Sequence, residues 1–281
     1  MGDRVTASDI ARDLLGRARN PDGGSGPRPG APSEPEPTAL TAIALDDDAA
    51  RAWLVSNQRD DGSFGLVDGF VRDESATALA VLALDDDDAR ERALDHLEAL
   101  EAERVPFSPA IPQDGSITGW PWTDDTFGWV EPTSRAMLAL KRFRPGSARI
   151  AQGVALLRDR RSVGGGWNYG NRLVLGEELT PFAHTTAIAL LALHGLDAGL
   201  EAEGSSRLRS LWREERAGPI TLALSLAAFS LAGDAAEADA IRAALDEATA
   251  DGVLDDAVAA AWIVIATGDG LRRIVPSGAD A

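Results

Sequence analysis

Glu131 and His184 are the residues best placed to do chemistry. A carboxyl and an imidazole within reach of each other can hold, donate or remove a proton. Their pairing rests on a ruler inside the chain. Residues 38–45 read TALTAIAL, 77–84 TALAVLAL, 133–140 TSRAMLAL and 186–193 TAIALLAL. Each phrase has a Thr, a small residue or Thr three positions later and a final Ala-Leu, and such self-similarity marks a repeat architecture. The slot two residues before the repeat Thr holds Glu36, Ser75, Glu131 and His184 in turn. Glu131 and His184 therefore fall at one level of two consecutive repeats.

The elements that must hold them are helices in pairs. After a short amphipathic helix over 7–19, paired segments are predicted at 38–45 with 49–58, 75–84 with 88–103, 133–143 with 148–160, 184–194 with 206–215 and 219–231 with 235–248, with 254–267 last. The first member of most pairs is apolar nearly all round and should be buried. The second is amphipathic and should face outward. Twelve helices alternating in this way predict an all-α fold, an α/α toroid of six inner and six outer helices. Residues 1–19 would pack on it as the sixth outer helix, 20–37 (NPDGGSGPRPGAPSEPEP) would be a flexible linker, and 38–281 the toroid domain. The aspartate runs 46–48 and 85–88 sit at inner-to-outer turns, where Asp caps a following helix.

Two connections are long, 104–130 and 161–179, and long loops in a compact domain are usually functional or disordered. Residues 107–182 hold nine of the fifteen aromatics. Trp120, Trp122, Trp129, Trp167, Tyr169 and Phe182 are the candidate walls of a ligand cavity, or the plug of the toroid mouth. His96 and His194 receive no role.

Composition narrows the partners. Formal net charge is −18, which argues against nucleic acid, whose phosphates need Lys and Arg clusters. With no cysteine, disulfides, thiolate nucleophiles and Cys-ligated zinc are excluded. No residue set points to a cofactor or a metal. The start, MGDRVTASDI, has no apolar signal-peptide run. The apolar stretches 220–232 and 257–267 are shorter than the roughly 20 residues a membrane span needs. The expectation is a cytoplasmic protein without an integral membrane segment.

Residues 51–65, RAWLVSNQRDDGSFG, resemble the QW motif of squalene–hopene cyclases and related prenyltransferases, the prenyltransferase and squalene oxidase repeat family. GGGWNY at 164–169 is a divergent echo, and the resemblance covers about residues 38–195. It implies an α/α toroid with its chemistry at the N-terminal ends of the inner helices and an apolar, isoprenoid ligand. Where class II terpenoid cyclases have DxDDT, this chain has Trp129-Val130-Glu131-Pro132-Thr133, with Glu131 in place of the catalytic Asp. Asp124-Asp125-Thr126 copies the end of that phrase seven residues ahead of Thr133, out of register, and is read as a turn. His184 matches the zinc His of protein prenyltransferases, but Glu131 stands where their Cys would be, so that site is incomplete. Beside Trp129, Glu131 is expected to have its pKa raised by desolvation.

Three functions follow from these residues. The first is a terpenoid cyclase-like or prenyltransferase-like enzyme, with Glu131 as proton donor or base, His184 as its partner and the aromatics as walls. The second is a non-catalytic toroid binding an apolar small molecule or a partner protein. The third is a carbohydrate-active α/α toroid pairing Glu131 with Asp124 or Asp125.

Overall fold

The computed structural model describes residues 5–65, 73–215, 217–250 and 254–275. Residues 1–4 and 276–281, which the expected domain boundaries include, lie outside the described residues. Thirteen helices are described: α1 (Ala7–Ala18), α2 (Pro35–Leu45), α3 (Asp48–Asn57), α4 (Glu74–Ala83), α5 (Asp87–Ala99), α6 (Val130–Phe143), α7 (Ala148–Arg160), α8 (Ala183–Leu193), α9 (Ala198–Glu214), α10 (Pro219–Leu231), α11 (Ala235–Ala250), α12 (Ala257–Thr267) and the short α13 (Leu271–Ile274). A hairpin of β1 (Leu173–Val174) and β2 (Glu177–Glu178) stands in the second long loop.

Helices α2, α4, α6, α8, α10 and α12 pack in that order, and α12 closes on α2, so six inner helices form a complete ring. Helices α3, α5, α7, α9 and α11 each pack on the inner helix before them, and α1 packs on α12 as the sixth outer partner. This is the α/α toroid that the repeats predict. Its cause is visible in composition. Every residue of α4 is buried, as are ten of the eleven in α8, and these inner helices are rich in Ala, which lets neighbouring helices approach closely. The outer helices bury one stripe, as α5 does with Ala89, Ala93, Leu94 and Leu97. At the inner-to-outer turns the aspartates cap: Asp47 accepts the N–H groups of Ala49 and Ala50, and Asp86 that of Ala89.

The repeat Thr has a structural task. Its Oγ1 accepts a backbone N–H from the incoming loop at all four places: Ser25 to Thr38 at 2.9 Å, Phe64 to Thr77 at 3.0 Å, Trp120 to Thr133 at 3.0 Å and Trp167 to Thr186 at 3.0 Å. The carbonyls of the same four loop residues accept the N–H of Glu34, Asp73, Trp129 and Phe182. Those are the N-cap residues of α2, α4, α6 and α8. Each loop is thus clipped to its inner helix twice, by two bonds worth about 1 kcal/mol each. Before the clip the chain makes one turn three times over, with Gly23, Gly62 and Gly165 at positive φ. At Gly62 a Cβ would stand 2.2 Å from the carbonyl oxygen of Arg92, so only glycine fits. Gln58 closes the motif, its Nε2 donating to the carbonyls of Gly62 and Ala89.

The same clip corrects the expectation of a flexible linker over 20–37. Asn20 Nδ2 donates to Ala31 O, Asp22 accepts from Gly24 and Trp53, and Ala257 N–H donates to Pro27 O. Pro35 and Pro37 belong to α2, where proline is tolerated in the first turn. A Pro/Gly-rich composition cannot make a core of its own, but it can be pinned by polar bonds to the helices beside it.

Candidate functional site

The clip fixes which residues are equivalent around the toroid mouth. The N-cap level carries Glu34, Asp73, Trp129 and Phe182 from α2, α4, α6 and α8. Two residues deeper come Glu36, Ser75, Glu131 and His184. The mouth is therefore acidic over α2 and α4 and aromatic over α6 and α8.

On the aromatic side Trp129, Tyr169 and Phe182, with Asn168, Gly170, Asn171, Leu179 and Thr180, enclose a cleft of about 560 Å³. The volume lies in the range of about 300–1,000 Å³ usual for small-molecule sites. Tyr169 and Phe182 meet in a tilted contact with ring centroids 5.5 Å apart, and Phe127 supports Trp129 at 4.6 Å. Tyr169 is fixed because its carbonyl accepts the N–H of Val130, the first residue of α6. Asn168, which is buried, holds the turn by accepting the N–H of Gly170 and donating to Asn171 O.

Of the six expected wall residues, Trp129, Tyr169 and Phe182 line this cleft and three do not. Trp120 and Trp167 are completely buried, and their indole N–H groups donate to Leu97 O of α5 and Leu157 O of α7. They are the aromatic pegs of the clip, equivalent to Phe64. Trp122 is half-buried, and its carbonyl accepts the N–H of Glu74 at the start of α4. Sequence spacing alone does not separate a Trp that pegs a loop from one that faces a cleft.

Two residues along from the cleft walls Trp129 and Phe182, Glu131 and His184 meet: His184 Nε2 lies 3.4 Å from Glu131 Oε2. A third residue joins them. Arg135, one turn along α6, donates through Nη2 to Glu131 Oε1 at 2.6 Å and through Nη1 to Glu36 Oε1 at 2.7 Å. Burial alone would push the Glu131 carboxyl up, as the sequence suggested. The Arg135 charge and the bonds from His184 and Arg135 outweigh it and hold Glu131 down at about 2. Glu131 is therefore a fixed carboxylate at neutral pH, which corrects the expected raised value and removes it as a proton donor there.

A second perturbed carboxyl stands at the N-cap of α4. Asp73 is mostly buried, and desolvation, with the charge of Glu36, raises it to about 6 despite the N–H of Ala76 and the charge of Arg135. Asp73 and Arg135 are residues that sequence reasoning missed. Both left a sign: Asp73 stands four residues before Thr77, the first position of a DxDDT register, and Arg135 is a charge on an otherwise buried inner helix.

Asp124 and Asp125 form a turn, with Asp125 exposed at φ 58° and Thr126 donating to Thr123 O. They are absent from the cleft lining. Among the described residues, no group of three or more His, Asp and Glu is arranged to hold a metal ion, and no helix is long and apolar enough to cross a membrane.

No family model matches the chain, and no curated protein sequence matches it significantly. Solved structures do. A protein from Actinoplanes is similar over 95% of this chain and 98% of its own, with a TM-score of 0.61 at 15% identity. The type II terpene cyclase MstE from Scytonema, in complex with its product merosterolic acid A, is similar over 95% of each chain, with a TM-score of 0.59 at 14% identity. The endo-β-1,4-glucanase CMCax from Acetobacter xylinum is similar over 96% of this chain and 98% of its own, with a TM-score of 0.53 at 15% identity. The chain has the fold of these proteins. At such identity the likeness is one of architecture.

Proposed function

We propose that this chain is a terpenoid cyclase-like toroid that binds an apolar, isoprenoid ligand in the cleft walled by Trp129, Tyr169 and Phe182. The observation that carries the reading is the aromatic cleft at the N-terminal ends of α6 and α8, whose walls Trp129 and Phe182 stand two residues before the paired Glu131 and His184. Apolar walls bind a hydrocarbon chain, and Asn168, Asn171 and Thr180 orient its polar end. MstE, of the same architecture, is described with geranylgeranyl dihydroxybenzoate as substrate, so a twenty-carbon isoprenoid is a reasonable probe. Glu131 and His184 keep a role in this reading as an anchored pair that ties α6 to α8 next to the wall residues Trp129 and Phe182.

Catalysis is a second reading, favoured by Asp73, whose pKa near 6 keeps a proton close to neutrality. A carboxyl protonated because it is desolvated is a weak acid, better matched to general acid–base work than to protonating an alkene. A carbohydrate-active site of Glu131 with Asp124 or Asp125 is less well supported, because Glu131 is closed off by Arg135 and the aspartates belong to a turn.

Calorimetric titration with geranylgeraniol and with cello-oligosaccharides, followed by product analysis by mass spectrometry, tests these readings. Saturable binding of the isoprenoid alone supports the proposal. Binding of the oligosaccharide alone contradicts it. A new isoprenoid product formed by the native chain and not by Asp73→Asn supports catalysis.

A further inference from the structure

The mouth gathers more carboxylates than cations. Glu34, Glu36, Asp73 and Glu131 meet there, and Glu215 closes the start of α8 by accepting the N–H of Ala183. Against them stand Arg135 and His184. Arg135 is buried and already engaged by both Glu36 and Glu131. Arg207, which lies beyond Leu179 and Thr180, is 3.6 Å from Glu214. The carboxylates already press on one another, since Glu34 is raised by burial and by the charge of Glu36.

Helix N-termini ordinarily favour anions through their unpaired N–H groups and dipoles. Here that capacity is taken by the protein itself. Asp73 accepts the N–H of Ala76, Glu215 accepts that of Ala183, and Glu36 and Glu131 lie in the first turns of α2 and α6. Nor are the carboxylates grouped, among the described residues, to hold a divalent cation that would bridge them to a phosphate.

We infer that the ligand of this cleft carries no diphosphate: it is an isoprenoid whose polar end is uncharged, such as an alcohol. This rests on the isoprenoid reading of the cleft and narrows it. A diphosphate would bring two or three negative charges against the acidic half of the mouth, where Arg135 is already shared between two carboxylates. Like-charge juxtaposition in a partly desolvated site opposes binding. The uncharged ligand escapes that penalty while keeping every apolar contact with Trp129, Tyr169 and Phe182.

The experiment compares geranylgeraniol with geranylgeranyl diphosphate by calorimetric titration, with and without magnesium, on the full chain. The alcohol is expected to bind at least about tenfold more tightly under both conditions. In the Glu34→Gln variant, the diphosphate should gain affinity while the alcohol stays within about twofold. Glu34 is not a partner in the Arg135 ion pairs, and circular dichroism verifies that the variant is folded. Diphosphate binding equal to or tighter than alcohol binding, with or without magnesium, overturns the inference and leaves the isoprenoid reading standing. Binding of neither ligand defeats both.

Discussion

Oγ1 of Thr133 lies 3.0 Å from the backbone nitrogen of Trp120 and accepts its hydrogen, deep in the fold. Three further Thr residues, 38, 77 and 186, do the same for three other loops. The phrase repeated along the sequence is thus the record of a loop clip. Thr133→Val keeps the shape and removes the acceptor. It leaves the Trp120 N–H buried and unpartnered, a loss of about 1–3 kcal/mol. Urea unfolding should show this loss at Thr77→Val and Thr186→Val as well. A neutral result at all three would mean the clip does not support the fold.

Glycine gives a contrast of sign. Gly62→Ala would put a Cβ 2.2 Å from Arg92 O at a φ of 85° and should destabilise by more than about 1 kcal/mol. Gly16 lies in α1 with no heavy atom within 4 Å of the added carbon. Gly16→Ala should stabilise by about 0.5–1 kcal/mol. Melting temperatures of the two variants should move in opposite directions.

The two buried carboxyls give opposite pH slopes. Asp73 is raised in the folded chain from 3.8 to about 6. Folding therefore gains from its proton below pH 3.8 and loses that gain as pH rises to about 6, on the order of 3 kcal/mol. Glu131 is lowered from 4.5 to about 2. Its contribution is present above pH 4.5 and is lost as pH falls toward 2. Denaturant titrations across pH 3–7 should find that Asp73→Asn abolishes the fall in stability between about pH 4 and 6. An unchanged slope in that window would show that Asp73 is not the group responsible.

Arg135 should prove harder to remove alone than with its partners. Arg135→Met leaves Glu36 and Glu131 facing each other without their cation, and breaking a buried pair from one side costs about 3–5 kcal/mol. Adding Glu131→Gln and Glu36→Gln should restore much of the loss. A triple variant no more stable than the single one would contradict the pairing.

The toroid was legible in the sequence because its causes are periodic. Alternating apolar and amphipathic helices, Asp at short turns and Thr at a fixed offset each follow from local chemistry. The register also brought Glu131 and His184 to one level, and they are 3.4 Å apart. What the pattern did not carry was long-range and non-periodic. Arg135 reverses the pKa expected of Glu131, and it reaches Glu36 from 99 residues away. Trp120 and Trp167 resemble cleft walls until their indole N–H bonds to Leu97 and Leu157 are seen. The segment over 20–37 looked free because part of what holds it, the bonds to Trp53 and Ala257, comes from residues elsewhere in the chain.

The central claim is that the cleft at Trp129 and Phe182 binds an apolar isoprenoid. The most direct measurement is the affinity for geranylgeraniol of the native chain, Trp129→Ala, Phe182→Ala and, as a control, Val55→Ser on the outer helix α3. Each aromatic truncation should weaken binding by about tenfold or more, because it removes an apolar wall and a ring face from the cleft. The control should bind as the native chain does. Equal affinity in all four proteins, or no binding by the native chain, would contradict the account.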